Sequence, residues 1–229
     1  MKGENQMKIN YKNKIRFWSI ISGISLIIMA IAAGYAYGFS FNQIYVESDS
    51  IQTMINILAN STLYYSGVIV WCIILITDLI VAYGFYRYLK PVNKTVASLS
   101  GVLRLIYSIF LAIGIVFLFG KSTEVFLKMW SLGLIVIGLH LTVTGLGVFQ
   151  SNKTPNILGV LLIIAGIGYS LIHGLQNFLP QIQDFTDSLE SILSIPMTIG
   201  ELSFGIWLLV RGGKNINQQF SDVPVQDAP

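Results

Sequence analysis

Residues 71–94 read WCIILITDLIVAYGFYRYLKPVNK, and the placement of Asp78 within this run decides the fold. An apolar run closed by Arg87, Lys90 and a Lys-Pro turn is long enough to cross about 30 Å of hydrocarbon at roughly 1.5 Å per residue. A charge at the centre of such a helix costs about 2.5–3.5 kcal/mol on insertion scales. Asp78 is therefore expected to face a partner on another helix and not the acyl chains.

The rest of the chain is built in the same way. Of the 229 residues, 54% are hydrophobic and 11% charged, whereas a soluble domain carries about a quarter charged residues. So few charges cannot clothe a soluble exterior, and the sequence predicts an all-α polytopic membrane protein. Six spans are expected at 16–39, 62–89, 95–119, 127–150, 156–179 and 195–211, making a six-helix bundle over 16–211. A basic N-terminus (1–15) precedes it, and a polar tail (212–229), expected to be disordered, follows. The last span is expected to open on Ile195-Pro196, where the missing N–H of proline is not needed in a first helical turn. The apolar stretch of the first span is too long for a signal peptide. The lone Cys72 can form no intrachain disulfide and reads as a small buried apolar residue. Net charge is +3, and the basic residues sit in short loops without forming a stripe, which argues against a nucleic-acid partner.

Those loops also predict orientation, because Lys and Arg are retained on the cytoplasmic side. Lys2, Lys8, Lys12, Lys14 and Arg16 precede the first span, and Arg87, Lys90, Lys94, Lys153, Arg211 and Lys214 fall at the same side of later ones. The opposite loops hold Lys121 and Lys128 together with Glu47, Asp49, Asp184, Asp187 and Glu190. Both termini are thus expected in the cytoplasm of a cell carrying this protein in its cell membrane. SDSIQTMINILAN and FTDSLESIL, in the outer loops, each show a Ser or Thr cap signal before helically spaced apolar residues, and predict short surface helices. Tyr35, Tyr37, Tyr64, Tyr65 and Trp130 fall at span boundaries and read as an aromatic belt.

Three charges lie inside the spans: Asp78, Arg104 and Glu201. Counted from the basic end of each helix, Asp78 is nine residues before Arg87, Arg104 ten after Lys94, and Glu201 ten before Arg211. All three therefore lie roughly 13–15 Å deep, and His140 falls at the same level. Four ionisable groups from four helices at one depth are expected to face one another, with the Arg104 fork between Asp78 and Glu201. Tyr107 beside Arg104, Thr198 beside Glu201, and Tyr169 and His173 on the fifth span, His173 lying further outward, extend this layer as ligand-binding or proton-relay candidates. Asp78-Leu79, His140-Leu141 and Glu201-Leu202 also recur at spacings of 62 and 61 residues, a weak sign of tandem hairpins.

TDLIVAYGFYRYLKPVNK (77–94), GVLRLIYS (101–108), GLHLTVTG (138–145), PNILGVLLIIAGIGYS (155–170) and IGELSFGIWLLVRG (199–212) together resemble the multi-pass membrane family catalogued as domain of unknown function 4386, found mainly in bacteria. The resemblance implies a six-helix bacterial membrane protein and no activity. Three functions then compete. The first binds or transports a small polar or lipid ligand at the charged layer, and is favoured because intramembrane ionisable groups mark sites by default. The second is a scaffold or accessory subunit whose ion-pair cluster is architectural. The third is a lipid-processing enzyme with His140 as base, for which Ser108, Thr142 and Ser170 are nucleophiles by residue type only and no serine-elbow motif is present. A metal held by His140, Asp78 and Glu201 lacks the short ligand spacing of zinc motifs. No cofactor and no metal is expected; the partners expected are the lipid bilayer and that ligand, with no protein partner indicated.

Overall fold

The computed structural model describes residues 2–214, and the side chains within them except those of residues 2–9 and 12. The tail beyond Lys214, expected to be disordered, lies outside the described residues. Long helices dominate: α1 (Lys2–Ala33), α2 (Ser50–Ala59), α3 (Ser61–Leu89), α4 (Lys94–Phe119), α5 (Thr123–Phe149), α6 (Asn156–Phe178) and α7 (Gln183–Val210), with no strand among the described residues. Six of these, all but the short α2, are long and apolar enough to cross a membrane. Their outward faces carry Ile, Leu, Val and Phe, such as Ile76, Ile109, Val116 and Ile167, while the buried set includes Asp78, Arg104, His140 and several Ser and Thr. Greasy outside and polar at selected points inside is the arrangement that lipid solvent demands.

The spans form a closed ring. Each packs on its neighbour in sequence, and α7 returns to pack on α1. Alternation places α1, α4 and α6 in one direction and α3, α5 and α7 in the other, so the ends of α1 and α7 share one face, called here the termini end. Ring closure is fastened there by Arg16, which donates to the carbonyls of Leu208 (3.1 Å), Leu209 (2.7 Å) and Gly212 (2.7 Å) at the C-terminus of α7. Carbonyls of a last helical turn lack their full set of backbone donors, and a guanidinium both satisfies them and meets the negative end of the helix dipole.

Local sequence explains most boundaries. Asn93 starts α4 by accepting from the backbone N–H groups of Thr95 and Val96, and the expected surface helix α2 is capped by Asp49 through the N–H of Gln52 at 2.8 Å, not by a Ser or Thr. Beyond Ala33 the first span continues as a π-helical stretch, Gly34–Phe41, and a last turn to Ile44, five residues past the expected end. The largest departure is in α7. No separate surface helix covers FTDSLESIL, and no helix starts at Pro196; both belong to one helix from Gln183 to Val210 with Pro196 inside it. Proline removes one helical donor, but close packing on α6 holds the axis in the turn that follows it. A Cβ on Gly168 would stand 2.9 Å from Met197 Sδ, and one on Gly200 would stand 2.6 Å from the Leu161 carbonyl oxygen.

Where α5 crosses α6 the backbones themselves meet. A Cβ on Gly145 would lie 2.7 Å from the Gly159 carbonyl oxygen, and one on Gly166 would lie 2.5 Å from that of Gly138. Only glycine allows this approach, the small-residue packing used where no hydrophobic effect drives helices together. Gly166→Val is expected to lower thermal stability by at least the about 1–3 kcal/mol of an overpacked core, whereas Gly174→Ala, with open space around it, should leave the melting temperature in detergent within a degree or two of the wild type on the same scale of effects. An unchanged Gly166→Val melt would contradict the crossing.

Candidate functional site

The intramembrane charges meet as their depths predict. Arg104 on α4 donates through Nε to Asp78 Oδ1 on α3 at 2.8 Å, and its Nη1 lies 2.9 Å from Glu201 Oε1 on α7. Nη1 also points at His140 Nε2 on α5 at 3.1 Å. A guanidinium nitrogen only donates, so Nε2 must accept and the proton of a neutral imidazole sits on Nδ1. That proton goes to the Ser100 carbonyl oxygen at 2.8 Å. Thr144 donates back to the His140 carbonyl oxygen, and the Ser100 hydroxyl in turn donates to Thr144. His140 is thus a neutral acceptor for Arg104, which leaves the surplus negative charge of two carboxylates around one guanidinium uncompensated by the imidazole.

The layer has a locked half and an open half. Asp78 and Arg104 are 0% and 1% exposed. The second Asp78 oxygen accepts a short hydrogen bond from Ser108, and Phe85 lies beneath the guanidinium with its ring centre 5.5 Å from Cζ. Glu201 differs. It is 18% exposed, and its Oε1 approaches Arg104 off the N–H axis, leaving that oxygen without an aligned hydrogen-bond donor.

Glu201 opens onto a cavity of about 840 Å³ that runs from the charged layer to the end of the bundle opposite the termini. Asp78, Arg104, Tyr107, Tyr169, His173, Thr198 and Glu201 all line it; His140 does not. Tyr169 stacks at 6.2 Å on His173, which is held by Ser131 and Gln176. Thr198 is exposed to the cavity, with its hydroxyl turned back to the Ser194 carbonyl. On the other side of the charged layer, toward the termini end, rings fill the bundle: Phe85 meets Phe204 edge-on at 5.1 Å, and Tyr88 packs on Phe204 and Trp207.

Several expected assignments change. Trp130 and Tyr37 are not belt residues: they touch at 4.8 Å and line the cavity, and Trp130 packs on Trp71. Tyr64 is buried and donates to the Leu118 carbonyl at 2.6 Å. Ser170 bonds the Ile135 carbonyl in the α5–α6 seam. Of the serine and threonine candidates, Ser108 is committed to Asp78 and Thr142 to the Gly138 carbonyl, so neither hydroxyl is aimed at His140. Arg104 stands where a metal shared by His140, Asp78 and Glu201 would sit.

The sequence reading missed the stripe along α7. Gln183, Asp187, Glu190, Ser194, Thr198 and Glu201 all line the cavity, at spacings of three and four that place them on one helical face. The signal was present, but a helix started at Pro196 cuts the stripe in two.

A family model described as Domain of unknown function (DUF4386) matches residues 21–123 and 121–212. An uncharacterized protein of Archaeoglobus fulgidus is 29% identical over 142 residues, 62% of this chain and 81% of that protein. No solved structure matches the chain.

Removing Arg104 strands a buried carboxylate. Arg104→Met is expected to destabilise by about 3–5 kcal/mol, and adding Asp78→Asn and Glu201→Gln to recover much of that loss, because a neutral layer needs no counter-charge. Denaturation in mixed micelles of the single and triple variants checks this; equal stability of Arg104→Met and wild type would contradict it.

Proposed function

This chain belongs to the family described as Domain of unknown function (DUF4386), and we propose that it is a membrane-embedded binding or transport protein whose small ligand occupies the cavity above the Arg104 layer. One observation carries the proposal: the cavity reaches the charged layer and is walled there by Tyr107, Tyr169 and Thr198. A layer serving only as a clamp has no need of an opening to it. The volume falls in the usual range for small-molecule sites, about 300–1,000 Å³. Within this reading Asp78 and Arg104 position the floor, and Glu201, the partly exposed carboxylate of the layer, is the group offered to a ligand. The basic residues of the termini end orient the protein with both termini in the cytoplasm and the cavity mouth on the far side of the cell membrane. Transport would then require the ring stack of Phe85, Phe204 and Trp207 to part.

The scaffold reading keeps one observation in its favour, the saturation of the Asp78–Arg104–His140 half by internal hydrogen bonds. It assigns no role to the cavity. Thiol labelling separates the two. In a Cys72→Ala background, Thr198→Cys is expected to react with a membrane-impermeant methanethiosulfonate added from the far side. Ile109→Cys, exposed on the outer face of α4, should stay inert because lipid covers it. Inert cysteines at both positions would leave the scaffold reading standing.

A further inference from the structure

The cavity is unevenly charged. Five carboxylates line it, Glu47, Asp78, Asp187, Glu190 and Glu201, against the single guanidinium of Arg104, and the described lining residues include no lysine. Arg104 is already engaged by Asp78 and Glu201. The acids nearer the mouth have neutral partners: Glu190 accepts from the Gln176 amide at 2.7 Å and Glu47 from that of Gln183 at 3.2 Å. A low-dielectric funnel lined by one sign of charge concentrates ions of the other sign. Facing the acidic stripe of α7 is an aromatic wall in which Trp71, Trp130 and Tyr37 form a contiguous group, with ring centres 4.8–5.0 Å apart, continued toward the floor by Tyr107.

From this pairing we infer that the ligand is a monovalent organic cation, an alkyl or aryl ammonium, whose charged head lies between Glu201 and the aromatic wall and whose apolar body lies along α1. Electron-rich ring faces attract an ammonium group, and most strongly when water is excluded. Glu201 turns Oε1 toward Arg104 and keeps 18% of its side chain exposed, so the part of its carboxylate that faces the cavity supplies a charge-assisted contact to the ammonium head. The apolar segment of α1 from Leu26 to Ala33, bordering the cavity, gives the body its surface. An inorganic divalent ion fits less well, because among the described residues no group of three His, Cys, Asp or Glu side chains is placed to hold one. An anion would meet the field of the mouth with the wrong sign.

This inference rests on the binding reading above, and its test keeps the two apart. Full-length protein in lipid nanodiscs is titrated calorimetrically with benzyltrimethylammonium, benzylsulfonate and benzyl alcohol, using empty nanodiscs as the blank. The expected result is saturable binding of the ammonium alone, weakened about tenfold by Glu190→Gln and by Glu201→Gln, the effect of losing roughly one charge-assisted contact. Glu124→Gln, an exposed acid outside the cavity lining, should leave it unchanged. Binding of the sulfonate or the alcohol in preference would overturn the cation assignment and retain the binding reading. No saturable heat from any of the three would overturn both. Should Glu201→Gln fail to fold, Glu190→Gln at the wider part of the cavity decides, and ammonium binding indifferent to it would contradict the inference.

Discussion

A single buried guanidinium sets the terms for the whole bundle. Arg104 cannot lose its charge, and in hydrocarbon it must be surrounded by acceptors. It finds them on three other helices: Asp78 on α3, His140 on α5 and Glu201 on α7. These contacts fix the rotation of each helix about its own axis, since a turn of one residue, about 100°, would aim the carboxylate or imidazole into lipid. They also fix relative height. What remains is van der Waals packing, served by the glycine crossings of α5 with α6 and of α1 with α7, where a Cβ on Gly23 would meet the Gly205 carbonyl oxygen at 2.6 Å.

The same constraint explains why the bundle is open at one end. Three acceptors around one cation fill the centre of the ring at the level of Arg104, and Phe85, Phe204, Tyr88 and Trp207 close the space beneath. Above the layer the rings of Trp71, Trp130 and Tyr37 gather as a wall of the cavity and leave it open. There the π-helical continuation of the first span, Gly34–Phe41, runs along the cavity, with Gly34 and Gly38 presenting bare backbone and Tyr37 directed to Trp130. π-helical turns recur at functional sites because they break the regular register of a helix. The cavity and the architecture therefore share residues: Glu201 is both the third arm of the clamp and the edge of the cavity.

How much of this was legible follows from what sequence encodes. Depth was readable, because Arg87, Lys94 and Arg211 mark the boundary from which Asp78, Arg104 and Glu201 are counted, and the cost of an unpaired charge in lipid forced the inference that they meet. Azimuth was not. Trp130 and Tyr37 stand at the height of a membrane boundary, but hydropathy does not say that they face inward. Helix α7 was misread because proline at residue 196 fits a helix start as well as a tolerated interior position, and the choice turns on how Met197 and Gly200 pack against α6. Ring closure was hidden because the partners of Arg16 are backbone carbonyls, which leave no mark in a sequence.

The central claim is that the Arg104 guanidinium is held, away from water, by a carboxylate of α3. Nitrogen-15 NMR of the arginine side chains in micelles tests it directly. The Arg104 Nε–H should give a resolved signal, shifted downfield and exchanging with water far more slowly than that of Arg87, and it should collapse into the exposed arginine envelope on Asp78→Asn. An Nε–H that exchanges as fast as the others in the wild-type protein would contradict the account.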